Sequence, residues 1–522
     1  MTGTGAGAGT DTGAGAGAGT DTGAGAGTDT GAGTGTADSG VRAAVSEAPT
    51  LARKVGSAAR WSLVNTVVMR LGNFVTGIVL ARFFLGPEAW GVYGIAQTVL
   101  LVLLSANELG VSLAIVRWEG DPRRFAPTVL TLSVASSCLL YAVLFAAAPT
   151  VARVLGSPEA SGILRVMCVC VVLDGLSQVP AGFLTREFAQ GRRMAIDAVN
   201  FVLSTGVTLL LAVQGWGAMS FAWGSVAGNA AALLGCCLAA PGTLRFGWDR
   251  EQAKALLRFG LPLAGASMLA LGVVNVDTMV VGSTLDQLAL GFYVLAFNIS
   301  GWPVRIISEA ARRVSFAGFS RLADSPGALA GGFGRALGVV MTGTVPLCVL
   351  LAALAAPIVG LVYGDRWLPA AAALPWLMAL GGVRIGCELA YDCLVAIGRR
   401  RSLIGVQGLW LAVLVPALVI GADAGGIVGV AQGHVLVACV MVVPVFLFAL
   451  HRGGVGLGTV ARACARPFLG GAVMAAVILG LERLLGHGVL ALLVNGAAGT
   501  LVYVVCVLPS RDFLRGSAQA AR

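Results

Sequence analysis

Charge is what this chain has least of. Asp, Glu, Lys and Arg make up 11% of its 522 residues, against about 25% in an ordinary soluble domain. Lysine is nearly missing, with Lys54 and Lys254 the two present, and no G-x-x-x-x-G-K-[ST] phosphate loop occurs. Direct use of ATP therefore has no sequence support. Histidine is limited to His434, His451 and His487, and the eleven cysteines, mostly inside apolar runs, lack zinc-type spacing. They read as small hydrophobes, so neither a metal nor a cofactor is expected. No His/Cys/Asp cluster has catalytic spacing, and the loops expected on the outer side are too short to hold a polymerase or glycosyltransferase site. An enzyme is not expected. The net charge of +10 is spread over alternate loops rather than gathered in one patch, which argues against a nucleic-acid partner.

What is present is grease. Hydrophobic residues account for 57% of the chain, the mean hydropathy is +0.86, and apolar runs of about 18 residues or more recur along most of its length. The expected fold is an all-α polytopic membrane protein with about 14 transmembrane helices between residues 62 and 508. Residues 1–50 are a Gly/Ala/Thr tract in which GTDTGAGAG recurs. The tract lacks the basic n-region and apolar core of a signal peptide, and its small side chains cannot bury enough surface to fold. It is expected to be a disordered cytoplasmic tail.

The great majority of the 35 basic residues fall in every second loop. By the positive-inside rule these loops, and both termini, are expected to be cytoplasmic. Trp61, Trp90, Trp118, Trp216 and Trp367 lie near span ends, where an indole is expected to anchor at headgroup level.

Ionisable groups inside the spans carry the functional reading, because they are expensive there and tend to line a pathway. Arg384, Glu388 and Asp392 fall at i, i+4, i+8, one stripe of a helix. Asn298, Arg305, Glu309 and Arg312 form a second stripe; Arg70, Asn73, Glu108, Asp174, Asn275 and Asp277 add groups from other spans. Within-helix neutralisation of Arg384 by Glu388 and of Arg305 by Glu309 is one reading. The other is that arginines hold an anionic head group while a carboxylate takes up a proton or cation. Arg70, Arg305, Arg384 and Asn298 are the head-group candidates. Asp277, Glu309, Glu388, Asp392 and Asp174 are the ion-coupling candidates.

A duplication supports a transporter. LGPEAWGVYGIAQ at 85–97 aligns without gaps to LDQLALGFYVLAF at 285–297, with Leu85/Leu285, Ala89/Ala289, Gly91/Gly291, Tyr93/Tyr293 and Ala96/Ala296 identical. Similarity between two hydrophobic halves points to two related lobes around a midplane site.

NVDTMVVGSTLDQLALGFYVLAFNISGWPVRIISEAARRVSFAGFSRL and RWSLVNTVVMRLGNFVTGIVLARFFLGPEAWGVYGIAQTV resemble the seventh-to-eighth and first two spans of Wzx-type polysaccharide flippases. These belong to the multidrug/oligosaccharidyl-lipid/polysaccharide exporter superfamily. The resemblance, over about residues 60–450, implies two six-helix lobes in a V, expected at 51–255 and 256–455; the helix pair and tail expected at 456–522 go beyond that twelve-helix core. It implies alternating-access movement of an undecaprenyl-diphosphate-linked oligosaccharide, alongside membrane lipids and the polymerase and glycosyltransferases of the same pathway. A drug/cation antiporter of the same superfamily and a peptidoglycan-precursor flippase stay open as alternatives, with a membrane polymerase further behind.

Overall fold

The computed structural model describes residues 68–69, 71–107, 122–187, 189–322, 325–397, 400–486 and 488–507. The tail at 1–50, Trp61, Arg70, Glu108 and Trp118 lie outside the described residues, as do the side chains of Arg305, Glu309 and Arg312.

Every regular element among the described residues is helical. The first helix, α1 (Leu71–Phe84), ends in a π-helical turn at Leu80–Phe84. α2 (Pro87–Asn107), α3 (Pro122–Val154), α4 (Ala160–Met167), α5 (Val169–Arg186), α6 (Gln190–Val213) and α7 (Met219–Ala239) complete the first half. A non-helical linker then leads to α8 (Arg250–Thr284), whose first turn is capped by the Asp249 carboxylate accepting from the N–H of Glu251 and of Gln252. α9 (Gln287–Leu322), α10 (Pro326–Ala353), α11 (Ala355–Tyr363), a 3₁₀ segment (Asp365–Ala372), α12 (Leu374–Ala396) and α13 (Arg400–Val437) follow. After a π turn come α14 (Val443–Arg452), α15 (Leu457–Leu485) and α16 (Val489–Val507).

Among the described residues ten helices are long and apolar enough to cross a membrane, eleven if the bent pair formed by the 3₁₀ segment and α12 is one span. The expected 14 exceeds both figures for identifiable reasons. α1 is short within the described residues, α8 begins on Arg250, Glu251 and Lys254, and a single long apolar stretch, Gly408–Arg452, runs across a break at Gly425–Gly426. At that break Gly426 has φ 57°, a backbone state that other residues enter at a cost.

Helix packing falls into two groups. α3 packs on α5, α5 on α7 and α6 on α7; separately, α9 packs on α12, α10 on α12 and α15, α8 on α13, and α15 on α16. α2 joins the groups by packing on both α8 and α9.

Candidate functional site

The duplicated words meet each other. A Cβ added to Gly91 would sit 2.3 Å from the Gln287 carbonyl oxygen, and one added to Gly291 would sit 1.9 Å from the Pro87 carbonyl oxygen. Pro87 and Gln287 are themselves 200 residues apart. The N-terminal ends of α2 and α9 therefore cross about a local twofold, backbone against backbone, which only a residue without a side chain permits.

Beside this crossing, the end of α1 is locked to the second half. Its π turn leaves carbonyls without helical partners. Trp367 Nε1–H donates to the Ala81 carbonyl at 2.9 Å, and Arg366 donates to the carbonyls of Ala81 and of Arg82, the latter at 2.7 Å. Arg82 in turn donates to the Leu361 carbonyl. Trp90 and Trp367 are buried here with ring centroids 5.9 Å apart, edge to face. The expectation that these two anchor at headgroup level is corrected: their position at span ends serves the contact between halves. Trp216 is half exposed.

Adjoining this lock is a cavity of about 490 Å³ between α1, α2, α6, α7, α8 and α9. Its polar lining is amide and hydroxyl: Asn73, Gln97, Asn275 and Asn298 with Thr98 and Ser225 among others. Trp90, Tyr93, Phe221 and Trp302 supply rings, Tyr93 stacking on Phe221 at 3.9 Å and Phe74 meeting Trp302 at 4.3 Å. Among the described lining residues none is charged. The expected head-group ligand Asn298 is exposed into this space. Arg384 is not among the lining residues. Arg305 falls three residues beyond Trp302 on α9, and Arg70 three before Asn73 in sequence.

Behind the Thr278 wall of the cavity lies Asp277, fully buried. Tyr293 O–H donates to Asp277 Oδ2 at 2.8 Å. His434 Nδ1 stands 3.8 Å from the same oxygen, beyond hydrogen-bond range, and has no hydrogen-bond partner. Arg384 lies near enough for its charge to bear on both Asp277 and His434. Four helices, α8, α9, α12 and α13, thus converge on one buried acid. No ion pair joins Arg384 to Glu388 among the described residues. Asp392 is buried two turns further along α12.

Asp174 has a separate network in the first half. It accepts from Asn107 Nδ2 at 3.2 Å and from Gln178 Nε2 at 2.9 Å. Ser136 donates to Asn107, and Ser133 donates to Gln178. These neutral donors satisfy the carboxylate without a cation. Among the described residues no group of three His, Cys, Asp or Glu side chains is placed to hold a metal.

Of the residues that build the site, Tyr293, His434 and the cavity rings were absent from the sequence-based candidates. Tyr293 was visible as an identity in the duplication; a histidine within an apolar span was the signal for His434.

A bundle of apolar helices in which two related helix pairs cross beside a central polar cavity is the architecture of a multi-pass membrane transporter. The structure resembles a lipid II flippase MurJ in an inward closed conformation (TM-score 0.72, 15% identity, 87% of this chain and 100% of that one). It also resembles an inward-facing multidrug-resistance MATE transporter of the MOP superfamily (TM-score 0.61, 19% identity, 74% and 94%). Residues 79–372 match the model of the family described as polysaccharide biosynthesis protein, and the chain belongs to that family. It is 25% identical over 91% of its length to the succinoglycan biosynthesis transport protein ExoT of Rhizobium meliloti (strain 1021), covering 96% of that protein. It is 23% identical over 74% of its length to the lipopolysaccharide biosynthesis protein WzxC of Escherichia coli (strain K12), covering 79% of it.

Proposed function

We propose that the protein carries an undecaprenyl-diphosphate-linked oligosaccharide across the plasma membrane by alternating access, both termini being cytoplasmic. The helix groups that meet at α2 and α9 are the moving lobes, 51–255 and 256–455. The cavity is the observation that carries this reading. Sugar hydroxyls both donate and accept hydrogen bonds, as do the amides and hydroxyls of the lining. The flat rings of Trp302, Tyr93 and Trp90 offer faces for the C–H sides of sugar rings. A sugar head cannot cross hydrocarbon bare, since each unpaired polar group costs several kcal/mol; a neutral polar cavity replaces its water. Arg70 and Arg305 would take the diphosphate, each one helical turn in sequence from a lining residue. For Arg384, proximity to Asp277 supports a part in coupling. Asp277 is the preferred coupling acid over Glu309, Glu388, Asp392 and Asp174, because it lies behind the cavity wall with Tyr293 bonded to it and His434 beside it. The roles named for ExoT and WzxC agree with a polysaccharide substrate, and a polymerase and glycosyltransferases would act before and after it.

Reconstituted vesicles carrying a labelled undecaprenyl-diphosphate oligosaccharide test this. Wild-type protein should expose the label on the far leaflet, and Arg305→Ala should slow that by about tenfold or more, the worth of one charge-assisted phosphate contact. Efflux of lipophilic cations without movement of the sugar lipid would replace this reading with a drug antiporter. Preference for a peptidoglycan precursor over neutral oligosaccharides would replace it with a precursor flippase.

A further inference from the structure

Away from the central cavity, a second pocket of about 360 Å³ opens where α3 and α6 begin and α5 and α7 end. Its charged lining is three arginines, Arg123, Arg192 and Arg245, and one carboxylate, Glu187. The arginines come from three different connections in the sequence yet surround one space. Arg123 and Arg192 stand in the first turns of their helices, where a cation opposes the positive end of the helix dipole. An arrangement that concentrates like charge and two helix starts on one pocket is stabilised by an anion.

The linker supplies the other half of the argument. Residues 243–249 are non-helical and docked along α3: the Gly247 carbonyl accepts from Thr131 Oγ1 at 2.8 Å, and Asp249 N–H donates to Thr128 Oγ1 at 3.1 Å. A Cβ at Gly247 would meet Pro127 at 2.8 Å, so this register is fixed. Leu244, Phe246 and Trp248 stand exposed along this segment, Phe246 and Trp248 each more than 60%. A row of large apolar side chains beside a cationic pocket on a membrane protein matches the headgroup boundary, with rings in the acyl region and guanidinium groups at the phosphate level.

We infer that this pocket binds the phosphate of an acidic phospholipid, with the Leu244–Trp248 row seated among its chains. The linker that joins the two halves of the molecule would thus be fastened to the bilayer surface. Arginine suits the task because its planar fork makes paired bonds to phosphate oxygens. The inference stands apart from the identity of the transported lipid.

The test is native mass spectrometry of the purified full chain titrated with phosphatidylglycerol, with phosphatidylcholine and inorganic phosphate as comparison arms. Phosphatidylglycerol should be retained over phosphatidylcholine, and each arginine changed to glutamine should weaken it about fivefold. Phe246→Ser with Trp248→Ser should weaken the lipid and leave phosphate untouched. Arg245→Glu, on the exposed linker, serves as the variant least able to disturb folding, and should lose more than Arg245→Gln. Equal retention of both lipids, or undiminished phosphatidylglycerol binding in the triple glutamine variant, would overturn the inference. Inorganic phosphate binding as tightly as the lipid, unaffected by the Phe246/Trp248 changes, would reassign the pocket to a soluble anion.

Discussion

Tyr93 and Tyr293 occupy the same place in two copies of one sequence word and do different things. Tyr293 is fully buried and spends its hydroxyl on Asp277. Tyr93 lines the cavity and lies flat on Phe221. Carrying the alignment back at the same offset explains the split: Asp277 falls opposite Gly77. One copy has an acid for its tyrosine and the other has a gap, so one tyrosine turns inward as part of a buried charge cluster while the other faces the pathway. The repeat supplies the frame, and the Gly/Asp difference sets a buried acid beside one tyrosine and leaves the other against the cavity, which both halves line. Equivalent positions elsewhere keep a shared task, with Gly94/Val294, Gln97/Phe297 and Thr98/Asn298 all lining the cavity.

The largest effect expected from disturbing this contrast is at Asp277. Asp277→Asn should bring ion-driven transport near background while the protein still inserts, because an amide cannot exchange a proton or hold a cation as the carboxylate does. Transport with unchanged dependence on proton or sodium gradients would strike Asp277 from the mechanism. Gly77→Asp added to that variant should not restore transport, since among the described residues a Cβ at position 77 meets only the Trp90 ring within 4 Å; restoration would show the halves to be interchangeable.

Next in size is the crossing of α2 and α9. Gly291→Ala pushes a methyl toward the Pro87 carbonyl, and overpacking of this kind costs about 1–3 kcal/mol. That would shift the closed arrangement toward an opened one by roughly 5- to 150-fold, measurable as a longer spin-label distance between the starts of α2 and α9. An unchanged distance distribution in both Gly291→Ala and Gly91→Ala would mean that the crossing does not open.

Smaller, and most direct for the comparison, is the tyrosine pair. Tyr293→Phe strips a donor from a buried carboxylate and should lower stability by about 1–3 kcal/mol, seen as a lower Tm. Tyr93→Phe should leave Tm within experimental scatter and raise the KM for the sugar lipid a few-fold. The reverse pattern would contradict the assignment of the two tyrosines.

Much of this was legible in the chain. Asp277 announced itself by its cost in an apolar span, Asn298 by its place on a stripe, and the crossing by the repeated Gly-x-Tyr. His434 was not, because 157 positions separate it from the acid beside which folding places it. The neutral cavity was only partly visible: its asparagines stood out, while glutamine, threonine, serine and aromatic rings in a span look like ordinary packing until helices bring them together. Trp90 and Trp367 misled for a physical reason. The end of a span is both where headgroups lie and where two lobes can clasp, and position along the chain does not distinguish the two.

The clasp itself is made largely of main chain. Carbonyls of Ala81, Pro87 and Gln287 face missing side chains or donors from across the interface. Such a seal is indifferent to most amino-acid replacement around it, so descendants of this duplication could exchange nearly every side chain in their pathways, and with them their cargo, without rebuilding the door.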